Sequence, residues 1–323
     1  MKHVANHSYV LGMDVGGTNT LFGVVDTEGN ILARDSVHTK EYADINNYVS
    51  EIASSIKRMM QDFGGVSCFN GMGIGAPNGN VFTGYLDYAP NLPWGKAVPL
   101  VKLFHEALDG LLVKIDNDAN AATIGEMTYG AARDMKNFIM LTLGTGVGSG
   151  IVIDGNLVYG SHGKAGELGH VIVRPNGRPC GCGRNGCLET YVSATGVART
   201  AKECLSRGVA VDSLLSKIDS DNITSKDVYD AALQGDPIAK DIFDRTGQVL
   251  GEAIASFVNF SDPEAIILFG GLTSAGELLM KPIKESLQKN ILFVYEGGVK
   301  IIFSHLKGSD AAILGAASLG WLL

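Results

Sequence analysis

At 323 residues, with 46% hydrophobic and 19% charged side chains, the chain is long enough for two domains that each bury a core. A formal net charge of −8 argues against nucleic acid as a partner, since a phosphate backbone would be repelled. No apolar run approaches the ~20 residues that span a bilayer, residues 1–10 lack a signal-peptide core, and five cysteines are an odd number. A cytoplasmic protein without a disulfide framework or a membrane anchor is therefore expected.

The first elements alternate strand and turn. Residues 9–17, YVLGMDVGG, read as a short apolar strand running into glycines. Residues 20–26 continue as a second strand, TEGN turns, and residues 31–37 return as a third. Apolar residues then recur at helical spacing from 45 to 63, with Asp44 placed to cap the helix. Residues 69–77, FNGMGIGAP, form a strand ending in a Gly/Pro loop, and residues 111–127 a strand feeding a helix. Such alternation implies an α/β sheet.

The second half opens on residues 137–158, and here the sequence repeats itself. Laying the early segment over this one puts Gly16 on Gly144, Gly23 on Ile151 and Asp26 on Asp154. After a two-residue deletion, Gly29-Asn30 falls on Gly155-Asn156. The offset of 128 residues is too long for a solenoid and suggests two related domains. Further on, a strand at 264–269 leads into a third glycine turn, Gly270-Gly271. A small-residue helix is expected from about Gly308 to the end.

Turns rich in Gly and Thr let a backbone approach an anion closely and offer it N–H and hydroxyl donors. Two segments fit, Gly16-Gly17-Thr18-Asn19 and Gly144-Thr145-Gly146, although each taken alone also reads as an ordinary β-hairpin. Neither matches the lysine-bearing P-loop or the dinucleotide G-x-G-x-x-G in a strand–turn–helix setting. Their equivalent places in two related domains favour a pair of phosphate hairpins clamping ATP across a cleft. Gly270 and Gly271 would then wall the adenosine.

Taken together, DVGGTNT (14–20), NLPW (91–94), DNDANAATIGE (116–126), LGTGVGSGIV (143–152), GSHGKAGELGH (160–170) and CGCGRNGCLE (180–189) resemble the ROK family of sugar kinases. The resemblance covers most of the chain. It implies the actin-like ATPase fold, two related ribonuclease H-like α/β domains around a central cleft. The domains would be 1–118 and 119–307, with 308–323 packing back on the first. ROK repressors carry an added N-terminal DNA-binding module; the few residues before the first strand favour the kinase branch over a sugar-sensing regulator. The implied activity is ATP-dependent phosphorylation of a hexose at its 6-hydroxyl. Glucose is the first expectation, with N-acetylhexosamine, fructose and allose as alternatives. A homodimer or higher homo-oligomer is also implied.

Phosphoryl transfer to a hydroxyl needs a base, a divalent cation on the phosphates and exclusion of water. Asp118 stands where a strand gives way to a helix, and from the residues alone it could be a helix N-cap. The resemblance makes it the catalytic base. Asp14, ending the first strand, reads either as a turn aspartate or as the carboxylate for hydrated Mg²⁺. As sugar ligands the resemblance implies Asn91, Asn117, Asp118, Glu167, His170 and Glu189, with Gly75 lining the pocket through its backbone. Where the family usually has Pro-Gly, this chain has Pro77-Asn78-Gly79, which puts the identity of the sugar in doubt.

Cys180, Cys182 and Cys187, with His170 ten residues before the first, make a Cys₃His set, a common closed zinc site. The C-x-C spacing is wrong for C-x-x-C redox chemistry, and no fourth cysteine is near enough in sequence for an iron–sulfur cubane. Three free structural thiols are the alternative. A closed site would be structural, fixing the loop that carries His170 and Glu189. Because the glycine hairpins lie elsewhere in sequence, nucleotide binding is expected to survive loss of this metal better than sugar binding. Cys68 and Cys204 stand outside the motif as core residues or inert thiols.

Overall fold

The computed structural model describes residues 7–88, 91–208, 212–295, 297–306, 308 and 310–323. Most of residues 1–10, read above for a leader, and the junction at 307 and 309 before the expected last helix lie outside them. Two compact units emerge. The first takes the chain through Met135 together with Tyr159–Ala165 and Ser304–Leu323; the second takes Lys136–Val158 and Gly166–Phe303. No helix among the described residues is long and apolar enough to cross a membrane.

The first unit begins with β1 (Tyr9–Val15), β2 (Asn19–Asp26) and β3 (Ile31–His38), followed by α1 (Ile45–Asp62) and β4 (Phe69–Ala76). It continues through β5 (Gly79–Asn80), β6 (Tyr85–Tyr88), β7 (Lys96–Val98), α2 (Leu100–Ala107), β8 (Val113–Asn117) and α3 (Asp118–Tyr129). Helix α1 starts where the sequence says it should, because Asp44 accepts the Asn46 amide proton and satisfies an orphan donor of the first turn. The main sheet has the order β3-β2-β1-β4-β8. Alternation along β1 gives each face its own packing: Leu11, Met13 and Val15 join the core that contains Tyr48, Ile52 and Ile56 of α1, while Val10 packs with Ile313 and Ala317. The small antiparallel sheet β5-β6-β7 has strands of two to four residues, too short for a periodic signal in the sequence.

The second unit runs through β9 (Phe138–Leu143), β10 (Val147–Ile153), β11 (Asn156–Leu157), α4 (Glu189–Val192), α5 (Ala194–Ser206), α6 (Ser225–Leu233), α7 (Pro237–Ser261), β12 (Ala265–Phe269), α8 (Glu277–Asn290) and β13 (Lys300–Phe303). Its sheet, β11-β10-β9-β12-β13, repeats the first: two antiparallel pairings on one side of the leading strand, two parallel ones on the other. Both units therefore have the strand pattern expected of related α/β domains.

The ladders correct the alignment of the repeat. Gly12 pairs with Gly23, and Met140, 128 residues on, pairs with Gly150 rather than Ile151. The first hairpin turns through residues 16–18 before β2 resumes at Asn19, closing on the pair Val15–Thr20; the second closes on Leu143–Val147, one residue shorter. The deletion thus begins in the turn, and Gly23 matches Gly150. Sequence similarity alone rewarded aligning Val24-Val25-Asp26 with Val152-Ile153-Asp154.

The chain ends in α9 (Asp310–Gly320), which lies on β1 and β4 at backbone distance. A Cβ on Gly12 would sit 2.2 Å from Ile313 O, and one on Gly73 would sit 1.8 Å from Ala316 O. The small residues of α9 are thus a close-packing surface. The same helix meets α3, where a Cβ on Gly125 would be 2.8 Å from Gly315 Cα. Through this contact α3 groups with the first unit, whereas a division at residue 118 would assign it to the second.

Candidate active site

In the first unit, β1, β4 and β8 run parallel, and their carboxyl ends lie side by side, with Asp14 opposite Gly75 and Gly75 opposite Asp116. Asp14 and Asp118 flank this glycine: a Cβ on Gly75 would lie 3.7 Å from Asp14 Oδ1 and 3.8 Å from Asp118 Cα. Carboxyl ends of parallel strands are where open α/β sheets bind ligands. The N-cap of α3 is Asn117, whose side chain accepts the Ala119 amide proton at 2.9 Å. Asp118 is therefore the first residue of the helix and not its cap, although its Oδ1 also accepts from Ala119 N at 2.8 Å.

Electrostatics mark the same pair. Burial, reinforced by the charge of Asp118, pushes the Asp14 carboxyl from its ordinary 3.8 up to about 7. Asp118 keeps part of its side chain open to solvent, yet the protein around its carboxyl raises it too, against the opposing pull of the Ala119 amide. Two carboxyls held above their usual range therefore stand on either side of the carboxyl end of β4, which marks them as candidates for the functional site. Asn91 sits beside the first hairpin, its Cβ 3.4 Å from where a Gly17 side chain would begin. Asn78 takes a left-handed conformation (φ 54°), which glycine adopts freely and asparagine tolerates better than most residues.

The first hairpin tip closes with Gly16 N–H donating to Asn19 O at 3.0 Å, and the second with Gly144 N–H donating to Gly146 O at 3.0 Å. Among the described residues the N–H groups of Gly17 and Thr18, and of Thr145 and Gly146, have no hydrogen-bond partner. Both tips thus present free amides. Gly270 lies against the end of β9 with φ 103°, where a Cβ would be 2.6 Å from Leu143 O, and Gly271 follows with open space around it. That glycine turn adjoins the second hairpin.

Still within the second unit, the turn 168–170 carries His170 and is pressed onto β10: a Cβ on Gly169 would be 2.1 Å from Val147 O. Ser149 ties the turn down, bonding to Gly166 O and accepting from Leu168 N at 3.1 Å. Glu167 is exposed, with no side-chain hydrogen bond among the described residues. Glu189 opens α4 and accepts from Val147 N at 3.0 Å through Oε2, while Cys180 Sγ lies 3.7 Å from its Oε1.

The Cys₃His set does assemble. Donor atoms of His170, Cys180, Cys182 and Cys187 all lie within 4.8 Å of one another. Cys182 and Cys187 sulfurs are 3.6 Å apart, and Cys180 Sγ is 3.7 Å from His170 Nδ1. Zinc–sulfur bonds of about 2.3 Å in a tetrahedron put neighbouring sulfurs about 3.8 Å apart, so the donors fit a zinc ion. They are too far apart for a disulfide, and Cys68 and Cys204 are free as well. Hydrogen bonds from Arg184 lower the Cys182 thiol to about 6, while burial pushes Cys180 up to about 12. Crowded thiols of this kind cannot all ionise without a cation. Arg184 also donates to His170 O at 2.8 Å, a brace that no motif announced.

The model of the ROK family matches residues 10–321. The chain belongs to the ROK family. It is 38% identical to the glucokinase of Halalkalibacterium halodurans, over 98% of this chain and 94% of that one. With the glucokinase of Thermotoga maritima it shares 36% identity over 96% of each. The crystal structure of a ROK family glucokinase from Streptomyces griseus, in complex with glucose and AMPPNP, superposes with a TM-score of 0.78 at 34% identity. The match covers 98% of this chain and 100% of that one. ROK membership carries with it the actin-like ATPase fold, in agreement with the paired sheets.

Proposed function

We propose that this ROK protein is an ATP-dependent glucokinase that transfers the γ-phosphoryl group to the 6-hydroxyl of glucose. The observation that carries the reading is the Asp14–Gly75–Asp118 row in a chain similar over nearly its whole length to glucokinases. Asp118 is the base. It accepts the hydroxyl proton as the sugar oxygen forms its bond to the γ-phosphorus and the bond to ADP breaks. Asn91, Asn117, Glu167, His170 and Glu189 are the proposed sugar ligands, with Gly75 contributing backbone only.

Residues 16–19 and 144–146 are proposed to hold the phosphates through their free amides, with Gly270 and Gly271 at the adenosine. Asp14 is the residue that would hold Mg²⁺, which when bound neutralises phosphate charge. His170, Cys180, Cys182 and Cys187 would hold structural zinc, keeping the loop that carries His170 and Glu189 in one conformation. A dimer or larger homo-oligomer is the form the resemblance implies, and a cytoplasmic location is the one the sequence favours.

Coupled measurement of ADP release across glucose, N-acetylglucosamine, N-acetylmannosamine, fructose and allose tests the proposal. Glucose should give the highest kcat/KM. A higher value for an N-acetylhexosamine would reassign the substrate, and no sugar-dependent ADP release would remove the kinase reading.

A further inference from the structure

Each phosphate hairpin is held from behind by a threonine. In the second unit, Ala194 N–H donates to Gly144 O at 2.8 Å and Thr195 Oγ1 donates to Thr145 O at 2.7 Å. Thr195 in turn receives the Ser193 hydroxyl at 2.9 Å, and Ser193 Oγ accepts the Gly196 amide proton at 3.0 Å. A relay of donors therefore ends on a hairpin carbonyl. In the first unit, Thr39 Oγ1 donates to Gly16 O at 2.8 Å, and the Thr39 amide donates to Thr18 O at 2.9 Å. Behind Thr39 stand Thr20 Oγ1 at 3.0 Å and, bonded to Thr20 at 2.7 Å, the buried Tyr48 hydroxyl. The two relays share no sequence pattern, yet they end in the same way.

What such a bond does follows from peptide geometry. In a trans peptide the C=O of one residue and the N–H of the next point in opposite directions. Fixing Gly144 O and Thr145 O to α5 therefore turns the Thr145 and Gly146 N–H groups away from it. Fixing Gly16 O to Thr39 turns the Gly17 N–H outward likewise. These are among the amides that lack protein partners. A carbonyl that rotated toward a phosphate would repel it, so the bond both aims a donor and withdraws an acceptor.

We infer that Thr39 and Thr195 are positioning residues for nucleotide binding, each orienting the amides of one hairpin. The inference rests on the reading of these hairpins as phosphate-binding elements of an ATP-dependent kinase. Thr195 is the cleaner probe, because it is exposed and its neighbours pack without it, whereas Thr39 is fully buried. Thr195→Val keeps the shape and removes the hydroxyl.

The dissociation constant of AMP-PNP, read by calorimetry, should rise about threefold to tenfold in this variant, within the usual cost of a lost hydrogen bond. The KM for ATP should rise in parallel, while glucose affinity and melting temperature stay at wild-type values. Thr195→Ser, which restores the hydroxyl, should restore the affinity. Thr39→Val should act in the same direction on AMP-PNP, with an added loss of stability. AMP-PNP affinity of Thr195→Val within twofold of wild type would overturn the inference. Wild-type protein that binds AMP-PNP without phosphorylating glucose would instead overturn the substrate reading, and the affinity ratio would still decide the role of Thr195.

Discussion

Glu189 Oε2 accepts the amide proton of Val147 at 3.0 Å, so one carboxylate joins the segment after the cysteine loop to the strand that leaves the second hairpin. Gly146 makes room for it, since a Cβ there would lie 2.4 Å from the same oxygen. Gly144, two residues earlier, has nothing within 4 Å of its own Cβ position. The two glycines should therefore respond differently to alanine. Gly146→Ala should fold, because a flexible carboxylate can swing aside, but KM should rise about tenfold or more for both glucose and ATP. Gly144→Ala should raise the KM for ATP alone. Steady-state kinetics with each substrate varied in turn separates the cases. Equal behaviour of the two variants would contradict the contact.

Asp118→Asn tests the base directly. Its amide keeps the size and much of the hydrogen bonding of the carboxylate but cannot take a proton from the sugar. Turnover should fall by about 10²–10⁴, while glucose binding measured by calorimetry stays within a few-fold of wild type. Near-normal turnover would remove Asp118 from the role.

The hairpins, the cap on α1 and the cysteine–histidine cluster were legible in the sequence, because each depends on residues close together in the chain. Features set by apposition were not. Nothing near Gly12 or Gly73 announces a helix 300 or so positions away in the one case and over 240 in the other, yet Ile313 O and Ala316 O are what those glycines accommodate. Thr39 and Thr195 reach hairpin carbonyls 23 and 50 residues distant. No motif marks Thr195 for that contact; it stands in the first turn of α5, which Ser193 caps. The repeat was visible, but its register followed side-chain likeness until the ladder fixed it.

Gly73 supplies a stability test of that apposition. Gly73→Ala places a methyl 1.8 Å from Ala316 O, which is backbone and cannot rotate away. Helix α9 must lift from the sheet, at a cost of about 1–3 kcal/mol for overpacking of this kind. Calorimetry should show a lower melting temperature. An unchanged one would mean that α9 is free to shift.

The raised carboxyl of Asp14 gives a pH signature with a definite sign. Its folded-state value of about 7 exceeds the ordinary 3.8, so between those limits the folded protein binds more protons than the unfolded chain. The contribution of Asp14 to metal-free stability is therefore fully present below about 3.8 and lost as pH rises through about 7. Asp14→Asn removes the titration and should raise the melting temperature of the metal-free protein at pH 8 relative to wild type, with little difference at pH 4. Since Mg²⁺ competes with that proton, the Mg²⁺ requirement of the wild type should ease steadily up to about pH 7 and then level off. A Mg²⁺ requirement flat from pH 5 to 8 would exclude Asp14 as its ligand.

The cysteine cluster makes the last prediction, and here contacts reverse the expectation from chain order. Elemental analysis should find about one zinc per chain in the wild type and none in Cys182→Ala. The hairpins lie far from the cysteines in sequence, which suggested that nucleotide affinity would outlast the metal. In the fold, however, Cys187 is followed within eight residues by Glu189, Ala194 and Thr195, which bond to Val147 N, Gly144 O and Thr145 O. A loosened cysteine loop therefore loosens the second hairpin as well as His170 and Glu189. Cys182→Ala should lose affinity for AMP-PNP and for glucose together, while circular dichroism shows both sheets and their helices retained. Loss of glucose affinity alone would mean that α4 and α5 hold the hairpin without help from the metal loop. Full activity in a wild-type protein stripped of zinc would show that the four donors need no ion at all.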